Sequence, residues 1–252
     1  MMDPEFWDDR YQQQARWTAS VRRVFGDAFL HGRALKVLEV GCGTGVITND
    51  LYRNHENHKM FGLDIQHELL CYARQKDPAI QYTCADGLML PYSDNAFDLT
   101  LCHYYLLWLG SPEQGLAEMC RVTRAGGVLA ALAEPDYGGR IDYPDELANP
   151  GIMQARSLQV HGANPYLGRK LAELLHRAGL SHIHTGLMGG EWGKAPDPGF
   201  IQMEWEVLRQ DLQGWLPESE MFRLQALDVE AWRNGIRILY VPTFYAWGKV
   251  PG

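Results

Sequence analysis

The eight residues 38–45, LEVGCGTG, constrain the fold of this chain more than any other stretch. An apolar, β-type run over 34–40 feeds directly into glycines at 41, 43 and 45, and a helix-compatible segment follows at once. That order reads as a strand, a tight turn and a helix N-terminus. Glycine belongs in such a turn because a chain leaving a buried strand sharply needs positive φ, and because a ligand touches backbone only where no Cβ intervenes. The free N–H groups and positive dipole end of the following helix favour a carboxylate or a phosphate above the turn. The stretch therefore reads as a cofactor cradle.

Spacing narrows the cofactor. The dinucleotide fingerprint is G-x-G-x-x-G/A, whereas the residue three after Gly43 is Val46 and the third glycine comes one place early. An NAD-dependent oxidoreductase is the weaker reading for that reason. The pattern E-x-G-x-G-x-G, carried by Glu39, Gly41, Gly43 and Gly45, instead resembles motif I of the class I S-adenosylmethionine (SAM) dependent methyltransferases. The resemblance implies an α/β fold with a Rossmann-like, doubly wound seven-stranded sheet of order 3-2-1-4-5-7-6, its last strand antiparallel. It also implies SAM as cofactor, S-adenosylhomocysteine as product, and no metal.

The residues downstream fit that order. A helix over 46–53 leads to a strand over 59–63 that ends at Asp64, where a carboxylate can accept both hydroxyls of an adenosine ribose. Asp64 could alternatively cap the next helix, 66–76, which Pro78 closes. A third strand over 80–84 stops at Asp86-Gly87, where the acid can accept from an adenine amino group and the following N–H can donate to the ring. The run 84–102, CADGLMLPYSDNAFDLTLC, resembles the family's next two motifs, and the resemblance extends the cofactor-binding set to Ile65, Gly87, Leu88 and Cys102.

Composition excludes several function classes. The net charge of −8, with Arg22-Arg23 as the longest basic cluster, argues against a general nucleic-acid binder. Five cysteines without a C-x-x-C pair suit reduced thiols of a cytoplasmic protein, and the acidic N-terminus carries no secretion signal. The most apolar run, 99–109, is shorter than the roughly 20 residues that span a bilayer.

Residues 1–32 read as an N-terminal helical arm that starts at Asp3-Pro4, and 33–252 as the methyltransferase domain with a helical insertion over about 190–235. In the family such an arm often closes over the cofactor. Tyr11 and Arg16 are then candidates for the methionine carboxylate and Trp17 for the substrate side, with plain core packing as the alternative. Strand four, 97–103, passes into Tyr104 and Trp108, both candidates for the substrate pocket; Ser111, Pro112 and Gln114 suggest a capping box; strand five covers 128–133. Ligands of open α/β sheets lie beyond the strands' carboxyl ends, so His103, Tyr104, Glu134, Asp136 and Tyr137 should share a crevice. The pattern breaks over 138–164 into loop and a short helix, then predicts a helix over 165–178, a strand over 182–188 and a last strand over 238–247. Trp192, Trp205, Trp215 and Trp232, in or beside the insertion, line a substrate pocket or fill a core.

A positioned nucleophile displaces the SAM methyl in line, so proximity supplies much of the rate. A hydroxyl or ammonium nucleophile needs a base near neutral pH, for which His103 is the first candidate; a histidine on an apolar run is otherwise a core residue with a satisfied hydrogen bond. Asp136 and Tyr137 come second. The acidic chain and aromatic strand end favour a small organic acceptor, with no nucleic acid or membrane partner and with the insertion as a surface for a homodimer. A protein or tRNA methyltransferase is the alternative within the class; a non-catalytic SAM-binding sensor or partner subunit is the alternative outside it.

Overall fold

The computed structural model describes residues 3–190 and 196–252; residues 191–195, Trp192 among them, lie outside the described residues. The strands are β1 (Lys36–Val40), β2 (Lys59–Asp64), β3 (Gln81–Cys84), β4 (Phe97–Cys102), β5 (Thr123–Pro135), β6 (Ile141–Tyr143), β7 (Ser181–Met188), β8 (Ile238–Tyr240) and β9 (Thr243–Lys249). Seven of them form one sheet, β3-β2-β1-β4-β5-β9-β7, and β9 runs antiparallel between β5 and β7. Counted along the sheet's own strands, this is the order 3-2-1-4-5-7-6. The strand order reverses beside β1, which puts a crevice at the carboxyl ends of β1 and β4.

Helices cover both faces, as a mostly parallel sheet requires. The helices are α1 (Pro4–Trp17), α2 (Ala19–Phe29), α3 (Val46–Asn54), α4 (His67–Lys76), α5 (Pro112–Val122), α6 (Ala148–Val160), α7 (Leu171–Arg177), α8 (Pro198–Asp211) and α9 (Glu218–Arg233). Phe25 of α2, Val46 and Leu51 of α3 and Leu70 of α4 pack with Val37 and Leu101 on one face. Leu116 and Met119 of α5 and Leu171 and Leu175 of α7 pack with Leu38, Val40 and Leu129 on the other. A separate core of Ile201, Trp205, Leu208, Met221 and Leu224 holds α8 against α9, so Trp205 is a core residue. Among the described residues no helix is long and apolar enough to cross a membrane.

Four local expectations change. The arm is two helices, because the Thr18 hydroxyl bonds back to the Gln14 and Ala15 carbonyls and bends the chain. No capping box forms at Ser111: its side chain makes no cap bond, and Gln114 donates instead to the Leu88 carbonyl at 3.0 Å. The helix expected from 165 begins as a 3-10 turn, Gly168–Lys170, and becomes α-helical only at Leu171. The last strand is split at Pro242, which has no N–H for a ladder. Its first part, β8, pairs antiparallel with β6, a strand within the stretch read as loop, in a second, two-stranded sheet.

Candidate active site

The glycine turn is held by strand ends. Gly41, Gly43 and Gly45 have φ of +75°, +53° and +77°. The N–H groups of Gly41 and Cys42 both donate to the Leu63 carbonyl, at 2.7 and 3.0 Å. Asp64 fixes the next peptide: its Oδ2 accepts from Gly43 N at 2.8 Å and its Oδ1 from Gln66 N at 2.9 Å. Burial raises the Asp64 carboxyl against the lowering effect of those N–H groups. Three aromatic rings close on the turn, Tyr11, Tyr105 and, against Gly45, Tyr82. A Cβ on Gly43 would meet the Tyr11 ring at 2.6 Å, one on Gly41 the Tyr105 ring at 2.2 Å, and one on Gly87 the Tyr105 hydroxyl at 2.0 Å. Tyr105 therefore spans the gap between the β1 turn and the end of β3. Beside this cradle the Thr44 and Tyr105 hydroxyls are buried with no hydrogen-bond partner among the described residues. Such orphaned hydroxyls, a backbone bare of side chains and an acid at the end of β2 suit an adenosyl cofactor. Asp64→Ala removes the anchor of the Gly43 peptide together with the carboxylate expected to accept the ribose hydroxyls. Calorimetry is expected to show SAM binding weakened by about 1–3 kcal/mol.

Not every candidate lies at the cradle surface. Ile65 is 65% exposed beyond β2, Asp86 is exposed with its Oδ1 taking the Leu88 N–H at 2.8 Å, and Leu88 is half-buried. Glu39 is buried and accepts the Thr48 hydroxyl; burial pushes its carboxyl up to about 8. The Cys102 side chain is fully buried in the core, so only its backbone could reach a cofactor. Arg16 is exposed on the last turn of α1, and among the described residues its side chain makes no hydrogen bond or ion pair with the cradle. The arm's buried arginines are Arg22 of α2 and, on α1, Arg10, which sequence reasoning missed; Arg10 is 5% exposed and pairs with Glu204 of α8.

Arg10 and Glu204 belong to a second space. A cavity of about 370 Å³ lies between α1, the ends of β4 and β5, and the insertion, with Trp17, Tyr104, Tyr137, Phe200 and Trp232 in its wall. Trp17 meets Phe200 edge-on at 5.6 Å, and the Arg10 guanidinium lies 5.0 Å above the Trp17 ring. Tyr104 has φ of +51°, rare for a bulky residue, and its N–H donates to the Ala133 carbonyl at 2.8 Å. Burial pushes the Tyr104 phenol up to about 12 and raises that of Tyr137. Of the residues expected at the substrate side, Trp17, Tyr104 and Tyr137 thus line one cavity. Asp136 does not; it is 1% exposed and held by the Arg169 guanidinium. Trp108 is 55% exposed outside the cavity wall. The cause is Glu134, a fully buried carboxylate that accepts the N–H groups of Tyr105, Leu106 and Leu107 and fixes the 3-10 turn bearing Trp108. A larger groove of about 760 Å³ lies along α2 toward the carboxyl end of α3, away from the glycine turn.

His103 is buried against the arm. Its Nε2 lies 2.9 Å from the Thr18 hydroxyl, which also accepts from Arg22 at 2.6 Å. Burial, with Arg22 adding to it, lowers the imidazole from 6.5 to about 3. It is neutral at pH 7 and a weak proton acceptor. The folded chain binds this proton less readily than the unfolded one, so the stability it confers is complete above pH 6.5 and lost as pH falls toward 3. Glu39 and Glu134, raised to about 8 and about 7, act oppositely: their contributions decline as pH rises from 4.5 through those values. Comparing wild type with His103→Gln isolates the first effect. The stability difference measured by urea unfolding should shrink on acidification from pH 6.5, by at most about 1.4 kcal/mol per pH unit. A constant difference would contradict a neutral, buried imidazole.

Fold and site together define a doubly wound α/β protein with a cofactor cradle at its β1 turn and an aromatic cavity beside it. Residues 38–131 match the family model of a methyltransferase domain. The chain is 32% identical over 164 residues to demethylmenaquinone methyltransferase of Renibacterium salmoninarum, an alignment covering 63% of this chain and 66% of that protein. It is 35% identical over 117 residues to malonyl-[acyl-carrier protein] O-methyltransferase of Pectobacterium atrosepticum, covering 44% and 45%. Among solved structures, phosphoethanolamine N-methyltransferase 2 of Haemonchus contortus, in complex with S-adenosyl-L-methionine, superposes with a TM-score of 0.59 at 13% identity, over 93% of this chain and 52% of that one. Residues 38–131 thus form a methyltransferase domain, on the Rossmann-like fold of the class I SAM-dependent methyltransferases. The chain's alignments span 45% to 66% of the length of these two curated relatives.

Proposed function

We propose that this chain transfers the methyl group of SAM to a small organic acceptor held in the aromatic cavity. One observation carries the reading: cradle and cavity share a wall made of consecutive residues. Tyr11 lies on Gly43 while its neighbour Arg10 lines the cavity, and Tyr105 lies on Gly41 while its neighbour Tyr104 lines the cavity. A cofactor in the cradle and a molecule in the cavity would meet across that wall. Bound there, SAM supplies an electrophilic methyl group. The chain's own residues would do the positioning: Asp64 and the glycine turn hold the adenosyl end, Tyr11 and Tyr105 enclose it, and Trp17 with Phe200 keep water from the acceptor.

Apolar space beside the cradle favours catalysis over a sensor or inactive partner subunit. Among the described residues the arginines in the cavity wall, Arg10 and Arg140, are each paired with a carboxylate, which argues against the free basic mouth that a tRNA would need. The free thiols suit the cytoplasm. Residual basicity makes His103 at most a supporting group for proton removal, and turnover of His103→Gln across pH reads that directly. The proposal is tested by supplying methyl-labelled SAM together with a cell extract divided into small molecules, protein and tRNA. Label should appear in the small-molecule fraction; label confined to protein or tRNA would contradict it.

A further inference from the structure

The cavity wall specifies what sort of acceptor fits, and the following rests on the methyl-transfer reading above. We propose that the acceptor is an uncharged, planar aromatic compound whose hydroxyl group sits on the Arg10–Glu204 pair.

Charge comes first. Among the described residues each charged group in the wall already has a partner inside the protein: Arg10 has Glu204, and Arg140 donates to Asp142 at 2.6 Å and to Gln154 at 2.8 Å. Asp142 is further held by Arg237 at 2.7 Å. A charged acceptor would have to break one of these pairs or be buried without a counter-charge, and both are costly. Shape comes second. Trp17, Tyr104, Tyr137, Phe200 and Trp232 offer ring faces and edges, the surfaces against which a flat ring packs with the greatest gain. A cavity of about 370 Å³ is at the small end for ligand sites and suits a compact ring system rather than a long chain.

The polar handle comes third. Glu204 is 23% exposed; one of its oxygens takes the Arg10 N–H, and among the described residues nothing donates to the other. Arg10 uses Nη1 for Gln13 and Glu204, which leaves N–H groups on a guanidinium that has five. The pair thus offers an acceptor and a donor side by side. A hydroxyl, which both donates and accepts, satisfies the two together; a carboxylate would face Glu204, and an ammonium would face Arg10.

Calorimetric titration with 2-naphthol, 2-naphthoate and 2-naphthylmethylammonium, which share one ring system, tests this without SAM. The expected result is 2-naphthol bound at least about tenfold more tightly than either ion, the scale of one unmade hydrogen bond to a charged group. Glu204→Gln leaves Arg10 without its carboxylate, so the preference should reverse: 2-naphthoate tightens about tenfold and 2-naphthol weakens. Trp232→Ala, which leaves the pair intact, should weaken all three probes alike. Equal or tighter binding of either ion to the wild type, binding of none, or an unreversed preference in a folded Glu204→Gln variant would overturn the proposal. SAM titrated separately divides the two claims. SAM binding without 2-naphthol binding refutes the acceptor class and leaves the methyl-donor reading standing, whereas 2-naphthol binding without SAM binding refutes the methyl-transfer reading itself.

Discussion

Gly43→Val is expected to weaken SAM binding by roughly a hundredfold or more, equivalent to about 3 kcal/mol, in a chain that still folds. Three effects act in the same direction. Gly43 sits at φ of +53°, a region a β-branched residue tolerates poorly, at about 1–2 kcal/mol for the Cβ alone. Its Cβ would meet the Tyr11 ring at 2.6 Å, so the arm must move. Its N–H donates to Asp64 at 2.8 Å, so any shift of the turn also displaces the carboxylate assigned to the ribose. Adding Tyr11→Ala should relieve the clash but not the backbone strain, and so recover only part of the affinity. Circular dichroism establishes folding and calorimetry reads the binding; unchanged affinity in the folded variant would remove the glycine turn from the site.

The second large effect is on stability. Arg237→Ala is expected to cost about 3–5 kcal/mol, because it strands the buried Asp228 carboxylate and removes one of the two guanidinium groups on Asp142. The guanidinium is 3% exposed and bridges Asp228 at 2.5 Å and Asp142 at 2.7 Å, themselves 5% and 3% exposed. Asp228 in turn accepts the Trp205 indole N–H at 2.9 Å, and Asp142 accepts from Arg140, so the network ties α9, α8 and the small β6–β8 sheet into one lobe. A loss of that size is a large share of a typical folding free energy. Urea unfolding measures it; combining Arg237→Ala with Asp228→Asn should restore part of the loss by removing the uncompensated charge, since Asp142 keeps Arg140. A single-variant loss below about 1 kcal/mol would mean that water reaches the network, as at exposed pairs.

The contrast between these two regions explains how far the sequence could be read. The cradle is local: strand, glycines, helix and Asp64 lie close together in the chain, and each leaves its own mark as apolar run, spacing or acid. The seven-stranded order follows from the same alternation of strand and helix. The cavity is not local. Arg10 meets Glu204 across 194 residues and Arg237 meets Asp142 across 95, and nothing in the composition of either segment announces its partner. Arg10 and Arg16 share α1, and only the docking of α8 buries one and leaves the other in solvent. Trp108 looked like a pocket residue because it follows a strand end, but three N–H groups bound by Glu134 turn that segment outward. The reading of 238–247 as one strand failed at a single proline, whose missing N–H passes the chain from the small sheet to the large one.

The central claim is that the turn after β1 holds SAM. Calorimetric titration of cofactor-stripped protein with SAM, S-adenosylhomocysteine and NADH tests it most directly. The account predicts micromolar binding of both adenosylated ligands and no heat from NADH. Binding of NADH alone would contradict it and assign the cradle to a dinucleotide.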